Sequence, residues 1–138
     1  MRQPLSTFRR AEGDELAGGA AASAQDSPIP VKQVGVSVDA QGNIHVKPDP
    51  IVITTHNSLI VFTLSTDGYN FPATNAIVVT TPNSDFPYAS QTVKPQEATI
   101  LDLANNVGSY EYTVTVVNTA TGEVIVLDPV IQNGNPTN

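Results

Sequence analysis

Cysteine is absent from this 138-residue chain, tryptophan is absent too, and methionine occurs once, at the first position. Without a thiol there is no disulfide framework, no thiolate metal site, no cysteine nucleophile and no iron–sulfur cluster. Packing alone must therefore hold the core. A segment of about 100 residues manages this by burying roughly 60–70% of the surface its unfolded chain exposes. Charge is also scarce, at 14% of residues against about 25% in an average globular protein. The six Lys and Arg residues are outnumbered by thirteen Asp and Glu, for a net charge of −7. Three of those cations (Arg2, Arg9, Arg10) fall in the first ten positions, and from residue 32 onward only Lys32, Lys47 and Lys94 remain. A surface so poor in cations repels phosphate backbones and anionic headgroups, which excludes nucleic acid and membrane surfaces as partners. No apolar run reaches the roughly 18 residues of a spanning helix.

Residues 1–30 form a segment of their own. They hold Arg9-Arg10, an acidic patch at Glu12, Asp14 and Glu15, then Gly18-Gly19-Ala20-Ala21-Ala22. Ala22-Ser23-Ala24 has the small-x-small form of a signal-peptidase site, but the space before it carries carboxylates and glycines instead of a continuous apolar stretch. The segment reads as a flexible tail without a signal peptide, and the protein as cytoplasmic rather than secreted.

What is abundant is β-branched: Val, Ile and Thr supply 41 residues, of which only Thr7 and Ile29 precede position 31. Residues 31–138 accordingly read as the domain. Val34, Val36 and Val38 alternate with Gly35 and Ser37, giving one apolar face at period two. Asp39 to Asn43 supplies turn chemistry, with Gly42 or Asn43 able to take positive φ, and Ile44 to Lys47 returns as a hairpin partner. Pro48 and Pro50 end that strand. Further strands are predicted at Ile51 to Thr55, Leu59 to Leu64, Ile77 to Thr81, Thr99 to Leu103, Tyr110 to Val117 and Glu123 to Leu127. Leu59 to Leu64 is apolar on both faces, as a central strand requires. Tyr110, Tyr112, Val114 and Val116 share one face of the strongest strand. Seven or eight short strands with no helix predict an antiparallel β-sandwich, with a closed barrel as the alternative.

Catalytic chemistry is sparse. There is no nucleophile elbow and no phosphate-binding loop. His45, in a strand, and His56, in a turn, are candidate general bases, with Asp67 as the carboxylate partner of a small hydrolase or isomerase. Two separated histidines do not make a zinc site. Asp39, Asp67 and Asp85 lie in loops that would have to gather at the sandwich ends to hold calcium. No catalytic, cofactor or metal residue is assigned, and no cofactor is expected. Tyr69, Phe71, Phe86 and Tyr88 lie in the irregular stretch flanked by Pro72 and Pro87. They are read either as a plug of the core or as an interaction surface.

The run from Pro48 to Phe71, with Gly108-Ser109-Tyr110-Glu111-Tyr112-Thr113, resembles a cupredoxin-type Greek-key sandwich. The resemblance does not extend to type 1 copper, because the thiolate ligand is missing. Tyr110-Glu111-Tyr112-Thr113-Val114, Thr121-Gly122-Glu123 and Leu127-Asp128-Pro129-Val130-Ile131 resemble the DP-EP family, small bacterial proteins with an immunoglobulin-like β-sandwich and no assigned function. Asp49-Pro50 and Asp128-Pro129 match the Asp-Pro half of that name, whereas no Glu-Pro dipeptide occurs. This resemblance covers about residues 32 to 133, implies an immunoglobulin-like β-sandwich and contributes no catalytic residues; clear strand patterning without a convergent catalytic set points to a non-enzymatic protein. The resulting expectation is a binding or assembly module for an unknown protein partner or a second copy, with a His/Asp-dependent enzyme or a divalent-metal-binding sandwich as rivals.

Overall fold

A computed structural model describes residues 29–134, so the expected tail lies almost wholly outside the described residues. Within them the chain forms strands and no helix. The elements are β1 (Val31–Val38), β2 (Ile44–Lys47), β3 (Ile51–Ile53), β4 (Ser58–Leu64), β5 (Tyr69–Asn70), β6 (Ile77–Val79), β7 (Gln91–Lys94), β8 (Glu97–Asp102), β9 (Gly108–Asn118), β10 (Val124–Leu127) and β11 (Val130–Asn133). Eleven strands replace the seven or eight expected, because β5, β7 and β11 are too short to show a period. The expected strand Glu123 to Leu127 continues past Asp128-Pro129 as β11.

The strands make two sheets, not a barrel. One has the order β2-β1-β4-β8-β7, and the other runs β10-β9-β11-β3, with β5 and β6 on the opposite edge of β9. Both sheets are mixed, which corrects the purely antiparallel expectation: β1 runs parallel to β4, and β11 runs parallel to β3. The reason lies at Pro48-Asp49-Pro50. These residues break the chain between β2 and β3 without reversing it, so it changes sheet while keeping its direction. The next reversal, at Thr55 to Asn57, then brings β4 back parallel to β1 rather than antiparallel.

The period-two faces become the core. Val34, Val36 and Val38 from β1, Ile60, Phe62 and Leu64 from β4, and Ala98 and Ile100 from β8 meet Ile51, Ile53, Ile77, Val79, Tyr112, Val114, Val116 and Ile131 from the other sheet. Phe62 and Tyr112 pack across the interface with ring centroids 5.7 Å apart. Fully burying a ring such as Phe62 contributes about 2–3 kcal/mol. Two hairpin turns use glycine with positive φ, Gly42 at 83° after β1 and Gly122 at 77° after β9. That backbone region is open to glycine at little cost.

The two ends of the sandwich differ. At one end, Val38 donates its N–H to Thr66 Oγ1 (2.9 Å) and Thr119 to Gly68 O (2.9 Å), tying three turns together. At the other end, Leu59 donates to Pro30 O just before β1, Ser58 pairs in register with Asp102, and Asn133 at the close of β11 bonds Asp102. The first and last described residues therefore lie at this same end of the sandwich.

Candidate functional site

The four aromatic residues singled out from sequence do not form one patch. Tyr69 is half-buried in β5, and Phe71 is a core residue whose N–H donates to Pro95 O (2.7 Å). Phe86 and Tyr88 do come together. They border a groove of about 190 Å³ whose other walls are Ile77, Val78 and Val79 of β6, Pro82, Pro87, Ser90 and Ile100 of β8. Phe86 is buried and packs edge-on against Tyr110 at 5.1 Å, whereas Tyr88 is 68% exposed. Val78, also exposed, completes an apolar rim with no charged side chain among the lining residues. A larger depression of about 410 Å³ sits elsewhere, beside Lys94 and Glu97, and has no aromatic side chain in its lining.

One wall of the groove is a sheet edge. Thr115 donates to Ala76 O and Thr80 to Glu111 O (both 2.9 Å), so residues 76, 78 and 80 turn their backbone groups toward β9. Ile77 and Val79 turn theirs the other way, where no strand pairs with β6 among the described residues. The Ile77 N–H donates to Ser90 Oγ at 3.2 Å. The Val79 amide and carbonyl face the open side.

Behind the groove lies a polar cluster in the core. Asp85, Asp102 and Asn133 are each at most 1% exposed. The Asp85 carboxylate accepts N–H bonds from Asn105 (2.9 Å) and Asn106 (3.0 Å), and Asp102 Oδ1 accepts from Ala104 (2.9 Å). Asn133 Nδ2 donates to both carboxylates, at 3.0 Å to Asp102 and 3.4 Å to Asp85. Two buried acceptors in this cluster, Asp102 Oδ2 and Asn133 Oδ1, have no donor. Burial, with the negative charge of Asp85 adding to it, pushes the Asp102 carboxyl up to about 6. Sequence reading places Asp85 in a loop and Asp102 in the strand Thr99 to Leu103, and it does not foresee the polar cluster that they share.

The histidines sit apart from the groove. His45 Nε2 meets Asp39 Oδ2 at 2.7 Å, not Asp67, and its side chain is 63% exposed. The other Asp39 oxygen accepts N–H bonds from Gln41 and Asn43 (both 2.9 Å), so this carboxylate braces the β1–β2 turn. The hydrogen bond from His45 and those from the turn hold the Asp39 carboxyl below its ordinary value. His56 lies half-buried in the turn before β4. Neither histidine lines the grooves described above. Asp39 and Asp67 belong to the end at Val38 and Thr66, and Asp85 to the opposite end, so the three loop carboxylates considered for calcium do not converge. Among the described residues no three His, Asp or Glu side chains are grouped to hold a metal ion, and no helix is long and apolar enough to cross a membrane. No protein-family model and no curated protein matches the chain.

Proposed function

We propose that this is a non-enzymatic binding module that takes an extended apolar segment of a protein partner into the groove beside β6. The observation that carries the reading is Tyr88, a large aromatic ring exposed at the rim of an uncharged groove whose floor is Phe86. Exposed aromatics beside a desolvated pocket are the usual energetic centres of protein interfaces. The open edge of β6 adds backbone hydrogen bonds for a strand laid alongside it, and the flanking pockets read its side chains. Tyr69 and Phe71 serve the core instead.

A Greek-key sandwich of the cupredoxin or immunoglobulin kind is part of the same proposal. Its support is the passage of the chain from one sheet to the other between β2 and β3 and the packing of both sheets around one core. The DP-EP resemblance is proposed on the two Asp-Pro dipeptides. Both stand at strand breaks, between β2 and β3 and between β10 and β11, and Val130 donates to Asp49 Oδ1 at 3.5 Å.

The test is a random-peptide display selection on the immobilised full chain. Selected peptides should be apolar and free of proline in the pairing register, and Tyr88→Ala should weaken them at least tenfold. Tyr69→Ala should leave their binding within twofold of wild type. Failure to enrich any sequence, or binding indifferent to Tyr88→Ala, overturns the reading.

A further inference from the structure

Asp85 and Asp102 lie in the core without a cation: no Lys or Arg contacts either carboxylate among the described residues. Their common partner is the Asn133 amide, which offers its two N–H donors, one to each. With both carboxyls ionised, two negative groups share one neutral amide in a low-dielectric interior, an arrangement expensive to maintain. The atoms left over identify the remedy. Asp102 Oδ1 takes the Asn133 N–H, while Asp102 Oδ2 and Asn133 Oδ1 are both buried acceptors lacking a donor. A carboxylic acid and a primary amide pair cyclically through these four atoms, N–H to one carboxyl oxygen and O–H from the other to the amide oxygen. A single proton therefore satisfies two orphaned acceptors and removes one of two like charges.

We propose that Asp102 and Asn133 form a proton switch behind the groove: a proton on Asp102 Oδ2, donated to Asn133 Oδ1, locks the turn that carries Phe86, and its loss releases that turn. The coupling runs through a short path. Asp85 precedes Phe86, its carbonyl accepts the Leu103 N–H (2.8 Å), and Phe86 N–H donates back to Asn83 O (3.2 Å). Asn83 in turn accepts the Asp85 N–H and donates to Tyr110 OH (both 2.8 Å). When Asp102 is charged, the repulsion falls on Asp85, whose side-chain contacts with Asn133 and Asn106 are the long ones of the cluster (both 3.4 Å), and Asp85 moves with Phe86 attached. The groups facing Asp102 are Asp85 from the segment before β7, Asn133 from β11 and Ser58 from β4. None of these supplies a fixed positive charge to hold the carboxylate.

The sign follows from linkage. The carboxyl is raised to about 6 in the fold against about 3.9 in an unfolded chain. The folded state thus holds the extra proton between those values, and stability rises as pH falls from above 6 toward 4. Regulation of the groove rests on the binding reading above, whereas the titration itself is measured in the free protein. Carbon-detected NMR on the full chain should place the Asp102 carboxyl midpoint near 6. The amides of Ala104 and Asn105 and the Phe86 ring should follow the same midpoint. Asp102→Asn, which supplies a permanent N–H toward Asn133 Oδ1, should abolish that titration and fix Phe86 in its low-pH position. An Asp102 midpoint near 4, or a Phe86 ring indifferent to it, overturns the switch whether or not peptides bind. A correct titration with no peptide selected overturns the groove reading and leaves the switch standing. Should Asp102→Asn fail to fold, the wild-type midpoints still decide the question.

Discussion

Single atoms decide much of the energetics at the residue scale. Tyr112 is fully buried between the sheets, and its hydroxyl has no hydrogen-bond partner. Desolvation, with a smaller contribution from Asp49, pushes that phenol well above its ordinary value. Its ring does the packing against Phe62 and its oxygen only carries a desolvation cost. Tyr112→Phe should therefore stabilise the fold by about 1 kcal/mol, read as a higher urea midpoint with an unchanged slope. A midpoint lowered by the substitution would mean the hydroxyl has an essential partner. Asp102 is the opposite kind of buried polar atom, since a proton rather than a deletion relieves it. Neither position is legible locally: Tyr112 reads correctly as a core-facing strand residue, but the isolation of its oxygen depends on what β4 and β6 place opposite. Asp85 has the appearance of a turn residue because Asp usually is one, and Asp102, in the strand read at Thr99 to Leu103, gives no sign of the buried partners that Asn133 and Asp85 become.

Hairpins form the best-read level of structure, the scale of the element. The β1–β2 and β9–β10 pairs follow directly from alternation interrupted by Gly42 and Gly122. Gly122 has φ 77° and open space around the position of a Cβ, so Gly122→Ala tests backbone conformation alone. It should cost about 1 kcal/mol, while Gly35→Ala, in extended backbone with nothing nearer than 3.8 Å, should change stability by no more than about 0.5 kcal/mol. Thermal unfolding of the two variants side by side checks this. What alternation does not encode is which strand lies next to which. The parallel β1–β4 pair depends on a direction-preserving break at Pro48-Asp49-Pro50, and proline in sequence looks the same whether it ends a sheet or passes the chain to another. β7, within Gln91 to Lys94, is hidden for a related reason, being four residues closed by Pro95. Two of the residues lining the candidate site, Phe86 and Tyr88, are visible in advance. Their partners from β6 and β8 are set by the packing of the sheets.

For the molecule as a whole, contacts are remote in sequence. β1 begins opposite Leu59, and β3 pairs with β11 from Ile51 to Ile131. Closing loops of that length must precede the reward of pairing, which places refolding in the millisecond-to-second range of other sandwich proteins. Stopped-flow tyrosine fluorescence is a suitable probe because tryptophan is absent, and microsecond refolding would contradict the topology. The acidic body adds a uniform repulsion that salt screens.

The first and last described residues lie at the same pole of the sandwich, the one that holds Asp102, and this has a mechanical consequence. A tether attached to either end holds the domain by that one pole, so the turns at Asp39 to Asn43 and Asn118 to Gly122 face away from the anchorage. Tension drawn between the two ends acts across the sandwich and not along it. It pulls β1 of one sheet from β11 of the other, and the load reaches Asn133 and its bonds to Asp102 and Asp85 before the strands behind them. The polar cluster is thus the clasp that such a force would open first.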